Sequence, residues 1–177
     1  MEIKAKSTYN YEAVKAMLHL SIYKKAKPKT QITLRLSICI GAFLLFLPAF
    51  ILLEIGAQGY ILLLLLLLVA FLDCYMFFIL PKIQYKGLSK LQNIENEFSF
   101  SDDFIIISSK GEVYSGEERL EYSLLVKAYE TSRYFFLYQT KNQVYIVDKQ
   151  TIDGEGANAI RQKLSENLGK MYNICRY

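Results

Sequence analysis

Leu36-Ser-Ile-Cys-Ile-Gly-Ala-Phe-Leu-Leu-Phe-Leu-Pro-Ala-Phe-Ile-Leu-Leu53 is a run of 18 residues without a charge. As a helix it extends about 27 Å, close to the ~30 Å hydrocarbon core of a bilayer. A second run, Tyr60 to Leu80, has 21 residues, unbroken leucine from Leu62 to Leu68, and one acid, Asp73. Neither run shows the polar face of a helix lying on a soluble core. A signal peptide would begin earlier, and a second run would not follow it at once. The two runs predict a membrane α-helical hairpin over residues 34–80. Its link, Glu54-Ile-Gly-Ala-Gln-Gly59, is short enough to make the helices antiparallel neighbours.

Working outward, the charge is uneven. Eight basic residues against two acidic ones precede Leu36, whereas from Lys82 onward 13 basic and 13 acidic residues cancel. The link between the spans has no Lys or Arg, while Lys24, Lys25, Lys27, Lys29 and Arg35 precede the first span and Lys82, Lys86 and Lys90 follow the second. The positive-inside rule then predicts a multi-pass protein of the cell membrane with both termini in the cytoplasm. The juxtamembrane cluster suits the anionic lipids of the inner leaflet, at about 1 kcal/mol per basic residue near the surface. That placement accounts for the basic run, so no nucleic-acid partner is expected. Cys39 and Cys74 fall in the apolar runs and Cys175 near the end, with no CxxC pair to hold zinc or a redox disulfide.

Three residues of the hairpin stand out. Pro48 lies mid-span and predicts a packing kink. Pro81 predicts the end of the second helix. Asp73 is a candidate functional residue about 10 Å deep by helical rise, because an acid inside a span calls for a partner, an ion path or an oligomer contact. It either faces the hairpin interior or reaches toward Lys82.

The flanks read as soluble structure. Met1-Glu-Ile-Lys-Ala-Lys-Ser7 alternates like a half-buried strand. Asn10 is placed to cap a helix to about Lys25 with Tyr11, Val14, Leu18 and Ile22 as its stripe, leaving Lys15 and His19 off it. Residues 1–33 thus form a strand and a basic amphipathic helix, lying on lipid or on the rest of the protein, and Pro28 ends the helical pattern. After Pro81 a helical continuation to about Asn93 is expected. The period then changes to two. Strands are expected over Glu95–Ser101, Phe104–Ser109, Val113–Tyr122, Leu124–Thr131, Tyr134–Thr140 and Gln143–Lys149. A last helix follows Asp153-Gly154, with Ala157, Ile160, Leu164 and Leu168 on one side. The fold class is therefore a two-helix membrane hairpin plus an α+β domain over 95–170. A pleckstrin-homology-like antiparallel roll capped by its C-terminal helix fits the pattern, as do other strand-plus-helix folds.

Specific stretches also carry a resemblance. They are Phe98-Ser-Phe-Ser-Asp-Asp-Phe-Ile-Ile-Ile-Ser108, Glu121-Tyr-Ser-Leu-Leu-Val-Lys-Ala-Tyr-Glu-Thr131, Tyr134-Phe-Phe-Leu-Tyr138 and Tyr145-Ile-Val-Asp-Lys149, followed by the closing helix. From about Asn96 to Leu168 the chain resembles the YcxB-like family of bacterial membrane proteins. Tyr122 stands where a tryptophan is common, and Asp148 where a proline often precedes the lysine. The resemblance implies a C-terminal domain like bacterial pleckstrin-homology modules. It carries over no catalytic residue, because the family has none assigned.

A search for chemistry finds little to build on. His19 is the sole histidine, so neither a nucleophile–His–carboxylate set nor an HExxH site can form in the C-terminal half. Gly154-Glu-Gly156 lacks the third glycine of a dinucleotide loop. Glu117, Glu118 and Glu121 read as a solvated strand face rather than a cation site. No catalytic, cofactor or metal residue is expected. Among the aromatics, Tyr134, Phe136 and Tyr138 share one strand face, and Phe135 and Leu137 the other. Packing of both sets against the terminal helix or the N-terminal strand is the simpler reading. The alternative is an exposed patch in which Tyr134 and Tyr138, with Lys127, Arg133 and Lys149, meet a lipid headgroup or partner. The expectation is a non-enzymatic membrane protein presenting a domain for protein or lipid-headgroup binding. The alternative is a subunit of an oligomeric assembly or transporter, possible as a homo-oligomer through Asp73.

Overall fold

The computed structural model describes the chain except residues 1–2, 24–26, 53–56, 90–91, 93, 112–114 and 176–177, and the side chains of 47 and 49–52. Lys24, Lys25, Lys90, Glu54, Asn93 and Val113 of the expectations above therefore lie outside the described residues.

Among the described residues eight strands form two sheets. β1 (Ile3–Thr8), β2 (Glu95–Phe100), β3 (Phe104–Lys110) and β4 (Ser115–Glu121) form an antiparallel sheet in that order. Alternation is plain in β1, where Ile3, Ala5 and Ser7 are buried and the lysines between them are not. Its register runs from Ile3 opposite Phe100 to Thr8 opposite Glu95. β5 (Lys127–Glu130), β6 (Tyr134–Tyr138) and β7 (Val144–Asp148) make the second sheet, with β8 (Tyr172–Ile174) parallel to β5 on its far edge. Two of these strands are shorter than expected at their start: Leu124 belongs to a 3₁₀ turn over Tyr122–Leu124, and Gln143 precedes β7. β8 was not expected at all, being too short to show a period.

Among the described residues five α-helices accompany the sheets. α1 (Tyr11–Tyr23) starts at Asn10, whose Oδ1 accepts from the Ala13 N–H at 2.9 Å, as its cap role predicts. α2 (Pro28–Leu52) and α3 (Ala57–Cys74) are the apolar pair, packed together and long and apolar enough to cross a membrane. α4 (Leu80–Gly87) follows α3, and α5 (Gly156–Leu168) closes the domain. Pro28 opens α2 rather than merely closing the previous helix, a position where its missing N–H costs nothing. Gln58 and Gly59, expected in the link, already lie in α3.

Pro81 does not end the second apolar helix. A π-turn over Tyr75–Ile79 connects α3 to α4 without a break, and the Leu80 N–H donates five residues back to the Tyr75 carbonyl. The inserted residue resets the hydrogen-bond register, so Pro81 falls in the first turn of α4, where a proline is tolerated.

The main core lies between the sheets under α5. Phe98, Phe100, Ile105, Ile107 and Leu120 from the first sheet meet Phe135, Leu137 and Val147 from the second, with Ile160 and Leu164 closing over them. Each such side chain contributes roughly 1.5–3 kcal/mol on burial. Tyr122 joins them, its hydroxyl donating to the Ser101 carbonyl at 3.1 Å. Burial first, with Asp102 nearby, pushes this phenol up to about 12. Gly156 is needed where α5 starts: a Cβ there would stand 2.7 Å from Ile152 and 2.9 Å from Ile3.

Candidate functional site at the helix–sheet junction

α1 is buried on two sides. Toward the second sheet, Ala13 and Leu20 pack on Tyr134, Phe136, Tyr138, Ile146 and Cys175. Toward the apolar helices, Tyr23 meets Ile32 of α2 and Phe77 of the π-turn. The expected stripe is thus rotated: Ala13, Val14, His19, Leu20 and Tyr23 are buried, whereas Tyr11, Leu18 and Ile22 are only half-buried. A single-stripe reading fails for a helix with partners on both flanks. β1 and α1 therefore lie on the sheets, with α1 wedged between them and the helix bases.

His19 is the pivot of this wedge. Its ring stacks on Phe77 with centroids 4.5 Å apart and meets Tyr23 edge-on at 5.8 Å. Its Nε2 lies 3.3 Å from the Phe77 carbonyl oxygen. That carbonyl is four residues before Pro81, which has no N–H to offer it, and a carbonyl can only accept. Nε2 must therefore carry the hydrogen and donate. The sequence signal was present, a proline paired with a carbonyl in need of a donor, but the donor comes from 58 residues away.

Burial lowers the His19 pKa below its usual 6.5; the bond to Phe77 acts the other way, and nearby Lys15 and Glu12 oppose each other. A base whose folded value is depressed gives stability present above the unfolded value and lost as pH falls through 6.5 toward the folded one. α1 amides should accordingly exchange faster at pH 5.5 than at pH 7.5 once intrinsic rates are removed. His19→Gln, which keeps a donor but does not titrate, should show no such difference. His19→Ala should expose α1 at both pH values, by about 1–3 kcal/mol for the unsatisfied carbonyl.

The structure separates the residues proposed as a binding surface. Tyr134 and Tyr138 are buried under α1, which corrects their reading as surface residues; the face they share is covered by the N-terminal helix rather than by α5 or β1. Lys149 is half-buried and engaged, its Nζ donating to Glu130 Oε1 at 2.7 Å and to the Thr131 carbonyl at 3.0 Å. Arg133 donates through Nε and Nη2 to Asp148 Oδ2 at 3.2 and 3.0 Å. Asp148 also caps the turn after β7, accepting from the Gln150 N–H, a task its proline counterpart could not perform. Lys127 lies over the Tyr138 ring, 4.5 Å from its centroid.

The acidic residues of β4 are a strand face in part: Glu118 accepts from the Tyr145 hydroxyl at 2.6 Å. Among the described residues no group of three or more His, Cys, Asp or Glu is placed to hold a metal ion.

Asp73 faces the neighbouring helix of the hairpin, the first of its two expected placements, and not Lys82. Arg35, on the neighbouring α2, donates through Nη1 to Asp73 Oδ1 at 3.1 Å, so the acid does not depend on Lys82. Arg35 is accordingly a residue of the helix pair, whereas Lys27 and Lys29 flank Pro28 at the start of α2.

Sequence reasoning missed Glu130. Its side chain is 3% exposed and accepts from Lys149, from Arg161 Nε and Nη2 at 2.9 and 2.6 Å, and from the Tyr172 hydroxyl. Burial alone would raise its pKa, but these donors together outweigh that and hold it at about 2.

Between α1, the start of α2, the π-turn and the β5–β6 connection lies a cleft of about 710 Å³. Lys15, Lys27, Lys29 and Arg133 line it together with Glu12, His19, Phe77, Phe78 and Tyr134.

Residues 100–164, from the end of β2 into α5, match the family model described as YcxB-like protein. No curated protein and no solved structure matches the chain.

Proposed function

We propose that this chain, YcxB-like over residues 100–164, is a non-enzymatic module of the cell membrane that holds a binding domain against the inner leaflet. α2 and the α3–α4 helix span the bilayer, both termini are cytoplasmic, and the two-sheet domain is a pleckstrin-homology-like roll. The observation that carries this is the wedge of α1, buried at once on the second sheet and on the bases of the apolar helices. Such a wedge holds the domain at the helix ends instead of letting it hang on a linker. Pairing of β1, which precedes the apolar helices, with β2, which follows them, supports the same sidedness. The order of strands, with four in one sheet and three consecutive ones in the next before α5, supports the roll. A binding role is favoured over catalysis because the sole histidine is committed to the Phe77 carbonyl. The alternative, an oligomer built through Asp73, draws on an acid that Arg35 of the same chain already holds.

Fractionation of cells expressing the full chain should place it in carbonate-resistant membranes. Protease should cleave the sheet domain in inverted vesicles and spare it in intact spheroplasts. Recovery in the soluble fraction, or cleavage in spheroplasts, would sink the reading.

A further inference from the structure

We infer that the junction cleft binds the phosphate of an anionic phospholipid, a site that rests on the membrane-anchored reading above. The lining chemistry is cationic: Lys15, Lys27 and Lys29 face one acid, Glu12, and Arg133 adds a guanidinium already paired with Asp148. α2 begins at this cleft, and no acid sits in its first turn. The start of this 25-residue helix lines the cleft through Pro28, Lys29 and Thr30, so the positive end of its dipole favours an anion there.

An independent observation points to a ligand. Tyr134 lines the cleft and is 3% exposed, yet its hydroxyl is buried without a hydrogen-bond partner among the described residues. Buried polar groups are nearly always paired, so this phenol asks for an acceptor. A phosphate oxygen supplies one and matches the surrounding cations. The apolar part of the ligand follows from Phe78, which lines the same cleft and is 53% exposed. Cationic, donor-rich chemistry beside an exposed aromatic at the base of the apolar helices fits a headgroup with its acyl chain better than a free ion.

The test uses delipidated full-length protein in neutral detergent. Native mass spectrometry titrates phosphatidylglycerol and phosphatidylcholine of the same acyl composition, with inorganic phosphate as competitor. Phosphatidylglycerol should bind at least tenfold more tightly. Lys27→Gln with Lys29→Gln should weaken it about tenfold, and Tyr134→Phe about threefold, with phosphatidylcholine affinity unmoved by either. An unchanged Tm would show that the Phe variant keeps the packing of its ring. Equal affinity for the two lipids, or variants within twofold of wild type, overturns the site. Displacement by millimolar phosphate also overturns it, in favour of a soluble anion. Failure of the anchoring reading is seen separately, in the fractionation experiment, before any lipid is added.

Discussion

Glu130→Gln is expected to lower the thermal stability of the full chain in detergent by at least about 10 °C. The basis is the location of the charges. Glu130 is almost fully enclosed, and it receives Lys149, itself 16% exposed, and Arg161. Removing one partner of a buried ion cluster leaves the others uncompensated and costs about 3–5 kcal/mol, and each kcal/mol moves the Tm of a domain this size by about 4–8 °C. Position magnifies the effect. Glu130 on β5 ties the turn after β7 through Lys149, α5 through Arg161 and β8 through Tyr172, so it locks the helix and the edge strand to the sheet. The surface cluster of Lys6 with Glu97 at 2.7 Å is the control. Glu97→Gln should leave the Tm in place, because exposed pairs are screened.

The same acid sets a pH window. Its folded value of about 2 lies below the ordinary 4.5. A depressed carboxyl stabilises fully above its unfolded value, and that stabilisation drains as pH falls from 4.5 toward about 2, amounting to about 3 kcal/mol. Tm measured from pH 6 to pH 2.5 should drop more steeply in wild type than in Glu130→Gln, which has already lost the contribution. Parallel curves would show that the cluster is not what acid dissolves.

Why the chain hid this cluster while showing its outline is a matter of range. Periodicity is local, and so the apolar helices, the strands from Glu95 to Lys110 and the stripe of α5 could be read directly. The two faces of β6 were also legible: Phe135 and Leu137 enter the main core, and Tyr134, Phe136 and Tyr138 enter the layer under α1. What covers the second face was not legible, because α1 comes from before the apolar helices and returns only through tertiary packing. Glu130 draws its donors from 19, 31 and 42 residues away, and no spacing rule spans such distances. The alternative of an exposed patch containing Tyr134 and Lys149 stayed open for the same reason. A Lys or Tyr on a strand is usually solvent-facing, until a remote segment supplies its partner or its cover. Pro81 misled in another way. The rule that a proline stops a helix holds for an uninterrupted α register, and the π-turn beginning at Tyr75 changes that register first.

Arg35→Leu should be more damaging than Asp73→Leu, and the double replacement should recover most of the loss. The two side chains meet at 3.1 Å across the apolar pair, with Asp73 14% and Arg35 53% exposed. In a bilayer their unpaired fates differ. Arg35 lies seven residues into α2, about 10 Å along its axis, and a long guanidinium can bend back to the headgroups at modest cost. Asp73 has a short stem and cannot, so removing Arg35 strands an acid in hydrocarbon at a cost approaching the ~2.5–3.5 kcal/mol of a mid-span carboxylate. Replacing both leaves two apolar side chains in an apolar place. A double-mutant cycle on Tm in micelles, with the amount of chain in the membrane fraction as second readout, should therefore give a coupling of about 1–3 kcal/mol. Additive losses would mean that the pair does not act as a clasp within one hairpin. Comparing the oligomeric state of wild type and the double variant then settles the competing role for Asp73. An intramolecular clasp predicts no change, whereas an acid engaged between chains predicts that the assembly falls apart even as the hairpin regains its stability.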